Sequence, residues 1–138
     1  MGRARQKATG VKMNNEEREP LGELMIRAMS MPKDTNPNGD IFGGWVLSQM
    51  DLAGAMLANQ KANGKTVTIA VDAMKFILPV FVGDVLCCYA KVKSNGKTSI
   101  QIAIEAWARR QYSNERVLVT EGLFTFVAID ENRNPRPF

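Results

Sequence analysis

Asp34-Thr35-Asn36-Pro37-Asn38-Gly39-Asp40-Ile41-Phe42-Gly43-Gly44-Trp45 runs without a break into Val46-Leu47-Ser48-Gln49-Met50-Asp51. The first half is dense in turn formers. In the second half Val46, Met50, Ala53 and Leu57 recur at helical spacing, which predicts a helix starting near Phe42 or Gly43. Ala55, Met56 and Ala58 occupy other faces and leave little polar surface, so the helix is expected to be buried nearly all round, with Met50 and Met56 in the core. Asn63-Gly64 signals its end, giving about five turns and roughly 30 Å of length. Such a helix needs cover on most sides.

The flanking sequence supplies that cover as strands. Upstream, Leu21 to Met31 is apolar-rich and stops at Met31-Pro32, which favours a strand over a short helix. Downstream of Lys65, Val67, Ile69 and Val71 alternate with Thr68, Ala70 and Asp72, and Phe76-Ile77-Leu78 leads to a strand-ending Pro79. Val85 to Lys93 and Thr98 to Ala108 flank Asn95-Gly96, a strong hairpin signal, with Ile100, Ile102, Ile104 and Ala106 on one face. Val117 to Ile129 reads as a last long strand. A strand, a long helix and then about four antiparallel strands suit an α+β domain of the hotdog type, a curled antiparallel sheet wrapped around one long central helix. An open sheet of this kind keeps a bare edge, and pairing with a second copy is the natural way to finish it.

Length and composition narrow the chemistry. With 138 residues and 45% apolar content the chain is one domain with a real core. Residues 1–19 are polar and charged without periodicity and are expected to form a flexible basic tail, with the folded domain over residues 20–138. Arg3, Arg5, Lys7 and Lys12 precede the first acid and account for the whole net charge of +4, so the body is formally neutral. No aromatic residues interleave with that tail, and a nucleic-acid partner is not expected. No apolar run is long enough for a bilayer and no signal-peptide core follows the first residues, which points to a soluble cytoplasmic protein without a membrane partner. The adjacent Cys87 and Cys88 point to opposite faces of a strand and read as packing residues. There is no histidine, so zinc-finger, Cys-His and Ser-His-Asp chemistries are excluded and no metal is expected.

What remains is carboxylates, amides, hydroxyls and lysines. Gly64-Lys65-Thr66 and Gly96-Lys97-Thr98 resemble the end of a phosphate-binding loop, but Asn59 and Lys91 stand where its first glycine is needed, so both are turns. Gly43-Gly44 has two readings: close packing of a helix start against the sheet, or backbone amides that hold an oxyanion with the help of the helix dipole. Asp51 favours the second. A carboxylate in the middle of an apolar helix costs several kcal/mol if buried alone, so it requires a partner, a wet cavity or a function. Gly44 and Asp51 share a helix face with Ser48 but lie roughly 10 Å apart along it. One carbonyl cannot touch both, so a reaction using both asks for an Asp51 contributed by a neighbouring subunit.

The residues quoted above, from Asp34 through Trp45 and on to Ser48-Gln49-Met50-Asp51, resemble the YciA-type acyl-CoA thioesterases of the hotdog superfamily. The resemblance continues through Val67-Thr68-Ile69-Ala70-Val71, Phe76, Pro79-Val80, Val82-Gly83-Asp84-Val85, Cys87-Cys88-Tyr89 and Phe124-Thr125-Phe126-Val127, covering about Leu21 to Asp130. It implies hydrolysis of the thioester of acyl-coenzyme A, with the family's catalytic aspartate falling on Asp51 and its loop asparagine on Asn36, acting across a subunit interface. It further implies that Gly43 and Gly44 bind the thioester oxygen and that Lys97, Thr98 and Ser99 approach the nucleotide of coenzyme A. It implies a dimer and a hexamer of three dimers, and no cofactor beyond the coenzyme A carried by the substrate. The alternative is a non-catalytic acyl-CoA-binding sensor on the same fold. A hydratase on this fold fits poorly because the usual histidine is missing.

Overall fold

Strand β1 (Glu23–Met29) leads the domain in the computed structural model, which describes residues 18–138. The basic tail expected over residues 1–19 falls, as far as residue 17, outside the described residues. Arg18 and Glu19 lie against the sheet: Arg18 pairs with Glu105 and Glu121, and Arg116 bonds Glu19 at 3.0 Å. After a single 3₁₀ turn at Pro32–Asp34 comes α1 (Gly43–Ala62), then β2 (Thr66–Phe76), β3 (Val85–Asn95), β4 (Ser99–Arg109) and β5 (Arg116–Ala128).

The five strands form one antiparallel sheet in the order β1-β3-β4-β5-β2, so β1 and β2 are its edges. The helix crosses one face as the sequence order implied. Ile100, Ile102, Ile104 and Ala106 of β4 are fully buried beneath it, together with Met50, Ala53 and Ala58 of α1 and Phe124 and Phe126 of β5. Each such large apolar side chain stabilises the fold by about 2 kcal/mol, more than any exposed ion pair supplies. Contact is closest at Gly54, where a Cβ would fall 2.6 Å from Ile104 Cδ1 and 2.7 Å from Phe126 Cζ.

The structure corrects one reading and refines two. The helix is not buried all round: Leu52 and Met56 are 54% and 45% exposed, because a single sheet covers a single face. Met56 is therefore a surface residue of this chain, whereas Met50 is in the core. The helix stops where Asn63-Gly64 signalled, at a left-handed Asn63 (φ 52), a conformation asparagine tolerates. Arg136 Nη2 adds a 2.7 Å bond to the Ala62 carbonyl and satisfies one of the free acceptors there. The β3–β4 hairpin sits where Asn95-Gly96 placed it, but no residue of its turn has positive φ and β3 runs on through Asn95. Gly96 N–H closes the turn on Ser99 O at 2.8 Å, and Phe138 N–H to Lys97 O at 3.1 Å and Ala128 N–H to Thr98 O at 3.0 Å brace it from far along the chain.

Edge strand β2 is irregular. Its register against β5 shifts between Thr68 and Ala70 and again between Asp72 and Lys75, with Ala73 at φ 53. A bulge changes which side chains share a face. Strict alternation would group Val67, Ile69 and Val71, but here Thr68 and Val71 line one cavity with the helix while Ile69 is 58% exposed.

Candidate active site

That cavity, about 300 Å³, lies between α1 and the β2–β5 part of the sheet and is lined by Gly44, Leu47, Ser48, Asp51, Thr68, Val71 and Phe124. Asp51 is half-buried, and its Oδ1 accepts a 2.6 Å hydrogen bond from Thr68 Oγ1. The aspartate thus has a partner and opens onto a cavity. No hydrogen bond from the described residues reaches Oδ2, which leaves that oxygen able to accept from a bound molecule.

The helix start carries free donors, and one of its residues, Gly44, lines the same cavity. Phe42 O accepts from both Trp45 N–H at 3.0 Å and Val46 N–H at 3.3 Å, while the Gly43 and Gly44 amides have no partner among the described residues. Free N–H groups in a first turn are what a bound oxygen would use. Packing does not explain the glycines within this chain: a Cβ at Gly44 would meet nothing within 4 Å, and one at Gly43 would make an ordinary 3.5 Å contact with Phe76.

Asn36 does not line the cavity. Its Oδ1 accepts from Asn38 N–H at 2.9 Å and Asp40 N–H at 3.2 Å, and its backbone exchanges bonds with Asp40 and Gly39, so the asparagine organises its own loop. Two bonds seat that loop, Ile41 N–H to Val80 O at 2.9 Å and Phe42 N–H to Asp34 O at 2.8 Å. Val80 belongs to a turn locked by a buried ion pair. Asp84 Oδ2 accepts from Arg110 Nη1 at 2.6 Å and from Phe81 N–H at 2.9 Å, and the Arg110 guanidinium lies 4.7 Å above the Phe81 ring. Lys97, Thr98 and Ser99 are at the β3–β4 turn and do not line the cavity.

Cys87 and Cys88 are free, buried and remote from this set. Burial, and secondarily the neighbouring Cys87, pushes the Cys88 thiol up to about 12, so it is not a thiolate near neutral pH. Among the described residues no group of three or more His, Cys, Asp or Glu is placed to hold a metal, and no helix is long and apolar enough to cross a membrane.

Residues 38–113, which contain the helix, Asp51, Thr68 and both glycines, match a family model described as the thioesterase superfamily. The acyl-CoA thioester hydrolase YciA of Salmonella typhimurium is 50% identical over 128 residues, spanning 91% of this chain and 96% of that relative. The chain belongs to the thioesterase superfamily. Its hotdog fold has solved counterparts: a hexameric thioesterase from Yersinia pestis matches with a TM-score of 0.84 at 51% identity, over 87% of this chain and 98% of that one. A hexameric hotdog fold thioesterase of Campylobacter jejuni matches at 0.82 and 41% identity, over 87% and 92%.

Within this thioesterase the residue that the sequence reading missed is Thr68. It lies seventeen positions after Asp51 in an edge strand, with no local motif around it, and only the crossing of α1 over β2 brings the two together. A threonine among apolar neighbours in a strand facing a polar helix position is the one signal that could have singled it out.

Proposed function

We propose that this chain hydrolyses acyl-coenzyme A to free coenzyme A and a carboxylic acid, as a cytoplasmic enzyme that needs no separate cofactor. The observation that carries the reading is that one chain offers both halves of such a site to neighbours, a carboxylate on an open cavity, Asp51 bonded by Thr68, and the unpartnered helix-start N–H groups of Gly43 and Gly44 nearly two turns away. The names of the relatives support the substrate class.

In this reading Asp51 Oδ2 either takes a proton from water as the water oxygen attacks the thioester carbon, or attacks that carbon itself to give a transient anhydride that water then opens. In both routes the C–S bond breaks and the coenzyme A thiolate leaves to be protonated. The carbonyl oxygen gains negative charge on the way, and a glycine amide aimed at it contributes about 3 kcal/mol at the transition state. Because Gly44 and Asp51 of one chain are nearly two turns apart, the amides and Asn36 are supplied by the neighbouring subunit of a dimer, Asn36 offering its side-chain amide N–H to water or the reacting group. Leu52 and Met56 on α1 and Ile69 and Phe76 on edge strand β2 are exposed apolar residues suited to such pairing, and three dimers make the hexamer. Lys97, Thr98 and Ser99 are assigned to the nucleotide end of coenzyme A.

The test is thiol release across a panel of acyl-CoA chain lengths by the parent, Asp51→Ala and Asn36→Ala proteins. The expected result is turnover by the parent and a loss of at least about a hundredfold in Asp51→Ala with the fold intact. Folded Asp51→Ala protein that turns over like the parent would overturn the assignment. Tight acyl-CoA binding by a parent that releases no thiol would make the chain a sensor instead. A single turnover in ¹⁸O-labelled water tests the covalent route: label in the peptide that contains Asp51 requires an anhydride opened at the Asp51 carbonyl carbon, whereas attack of water on the acyl carbon puts the label in the released acid.

A further inference from the structure

The cavity has a depth gradient. Gly44, Ser48 and Thr68 are exposed at its mouth, Leu47 and Asp51 are half-buried, and Phe124 is its one fully buried lining residue. Resting on the acyl-CoA reading, we propose that Phe124 is the specificity-determining residue of this enzyme, a fixed floor that sets the upper length of the acyl chain.

A thioester held at Asp51 carries two very different substituents. Coenzyme A is large and polyanionic, and it has to stay on the open side. The acyl tail is apolar and takes the apolar way inward that this cavity offers, between Leu47 of the helix and Val71 of β2. Its path ends on Phe124, which pairs with Val71 across the β2–β5 ladder. Nothing threads past that ring, because beyond it the helix rests on the sheet at Gly54 with no room even for a methyl group against Ile104 and Phe126. A void of about 300 Å³ is at the small end of ligand sites, which fits short and medium tails.

The ring is a stop rather than a gate. Phe124 is stacked on Phe126, with centroids 6.4 Å apart and planes 14° from parallel. Met74 Sδ occupies the space that a Cβ at Gly122 would need, beside Phe124 Cε1. Close packing on both flanks removes the rotamers into which the ring could retreat. The walls are different, since Val71 is 39% exposed on an edge strand.

The experiment measures kcat/KM for acyl-CoA thioesters from acetyl to palmitoyl in the parent, Phe124→Leu, Phe124→Ala, Val71→Phe and Phe126→Leu proteins, each checked for fold by circular dichroism. For the parent, kcat/KM is expected to rise about fourfold per added methylene until the tail meets the ring, and then to level or fall. Phe124→Leu and Phe124→Ala move that ceiling to longer chains, gaining about fourfold for each methylene newly admitted. Val71→Phe, built at a partly exposed position and so not at risk of overpacking the core, moves the ceiling to shorter chains. Phe126→Leu, which does not line the cavity but loosens one flank of the ring, moves the ceiling in the same direction by less than either Phe124 variant. A folded Phe124→Leu protein with the parent's profile overturns the proposal, and so does an unshifted Val71→Phe profile if neither Phe124 variant folds. A parent that releases no thiol from any chain length refutes the acyl-CoA reading itself, an outcome distinct from an active enzyme whose ceiling does not move.

Discussion

Replacing Thr68 by valine removes one hydroxyl and keeps the shape of the side chain. In the structure that hydroxyl donates at 2.6 Å to Asp51 Oδ1, the length of a bond to an ionised carboxylate. Bonds to charged groups are worth about 1.5–3 kcal/mol, about twice a neutral pair. Thr68 is exposed and bonds outward from an edge strand, so its loss should change global stability by only about 0.5 kcal/mol. The remaining effect falls on orientation. Without its partner the carboxylate samples other rotamers, and Oδ2 spends less time facing the thioester carbon. If the whole bond energy is expressed in the transition state, at 1.4 kcal/mol per factor of ten, kcat falls about 10- to 100-fold. KM should move little, because the hydroxyl is used up on Asp51 and not on the acyl tail. Thiol release at saturating acyl-CoA gives kcat, urea unfolding gives stability, and Thr68→Ser, which keeps a hydroxyl, should recover most of the rate. A folded Thr68→Val enzyme within about twofold of the parent in kcat would refute the orienting role, since that factor is under 0.5 kcal/mol.

Two glycines of one helix should behave oppositely. Gly44→Ala adds a methyl group that meets nothing in the chain, so stability should hold or rise by up to about 1 kcal/mol while thiol release falls; equal activity would show that the glycine is not kept free for substrate. Gly54→Ala drives a methyl group into Ile104 and Phe126 and should cost about 1–3 kcal/mol by urea unfolding. Arg110→Ala strands the buried Asp84 carboxylate and should cost about 3 kcal/mol or more, with faster hydrogen exchange at the Ile41 amide because its acceptor Val80 lies in the turn that the pair locks; unchanged exchange would uncouple that turn from the loop. Cys88 is raised to about 12 from an ordinary 9.0, so above about pH 9 the unfolded chain loses a proton that the folded chain retains. Stability should therefore fall as pH rises from about 9 towards 12, by at most about 1.4 kcal/mol per unit, and urea titrations of Cys88→Val at about pH 8 and about pH 10 should show a shallower loss than the parent.

Sequence periodicity located the helix and the strands because each carries its own local signal. Val46, Met50, Ala53 and Leu57 keep helical spacing, and Ile100, Ile102, Ile104 and Ala106 keep the alternation of a strand, so neither reading depends on distant residues. Asp51 was legible for the opposite reason: a carboxylate conflicts with the apolar helix around it, and a local conflict marks a site. Thr68 was not legible, since nothing in Val67-Thr68-Ile69 states that the strand bulges after Thr68 and turns Ile69 outward. The β3–β4 hairpin was legible in Asn95-Gly96, whereas the bonds that Phe138 and Ala128 make to its turn come from far along the chain and were not.

The error over Met56 is of another kind. A helix pattern records that a face is apolar, and the hydrophobic effect requires only that water be kept from it; neither specifies whether the cover belongs to the same chain. Leu52, Met56, Ile69 and Phe76 stay exposed because the sheet of this chain is spent on the opposite face of α1. These residues lie on the two elements that carry Asp51 and Thr68, one on the helix and the other on the edge strand. In the proposed dimer a neighbouring subunit both covers exposed apolar residues of these two elements and supplies the amides that complete the site.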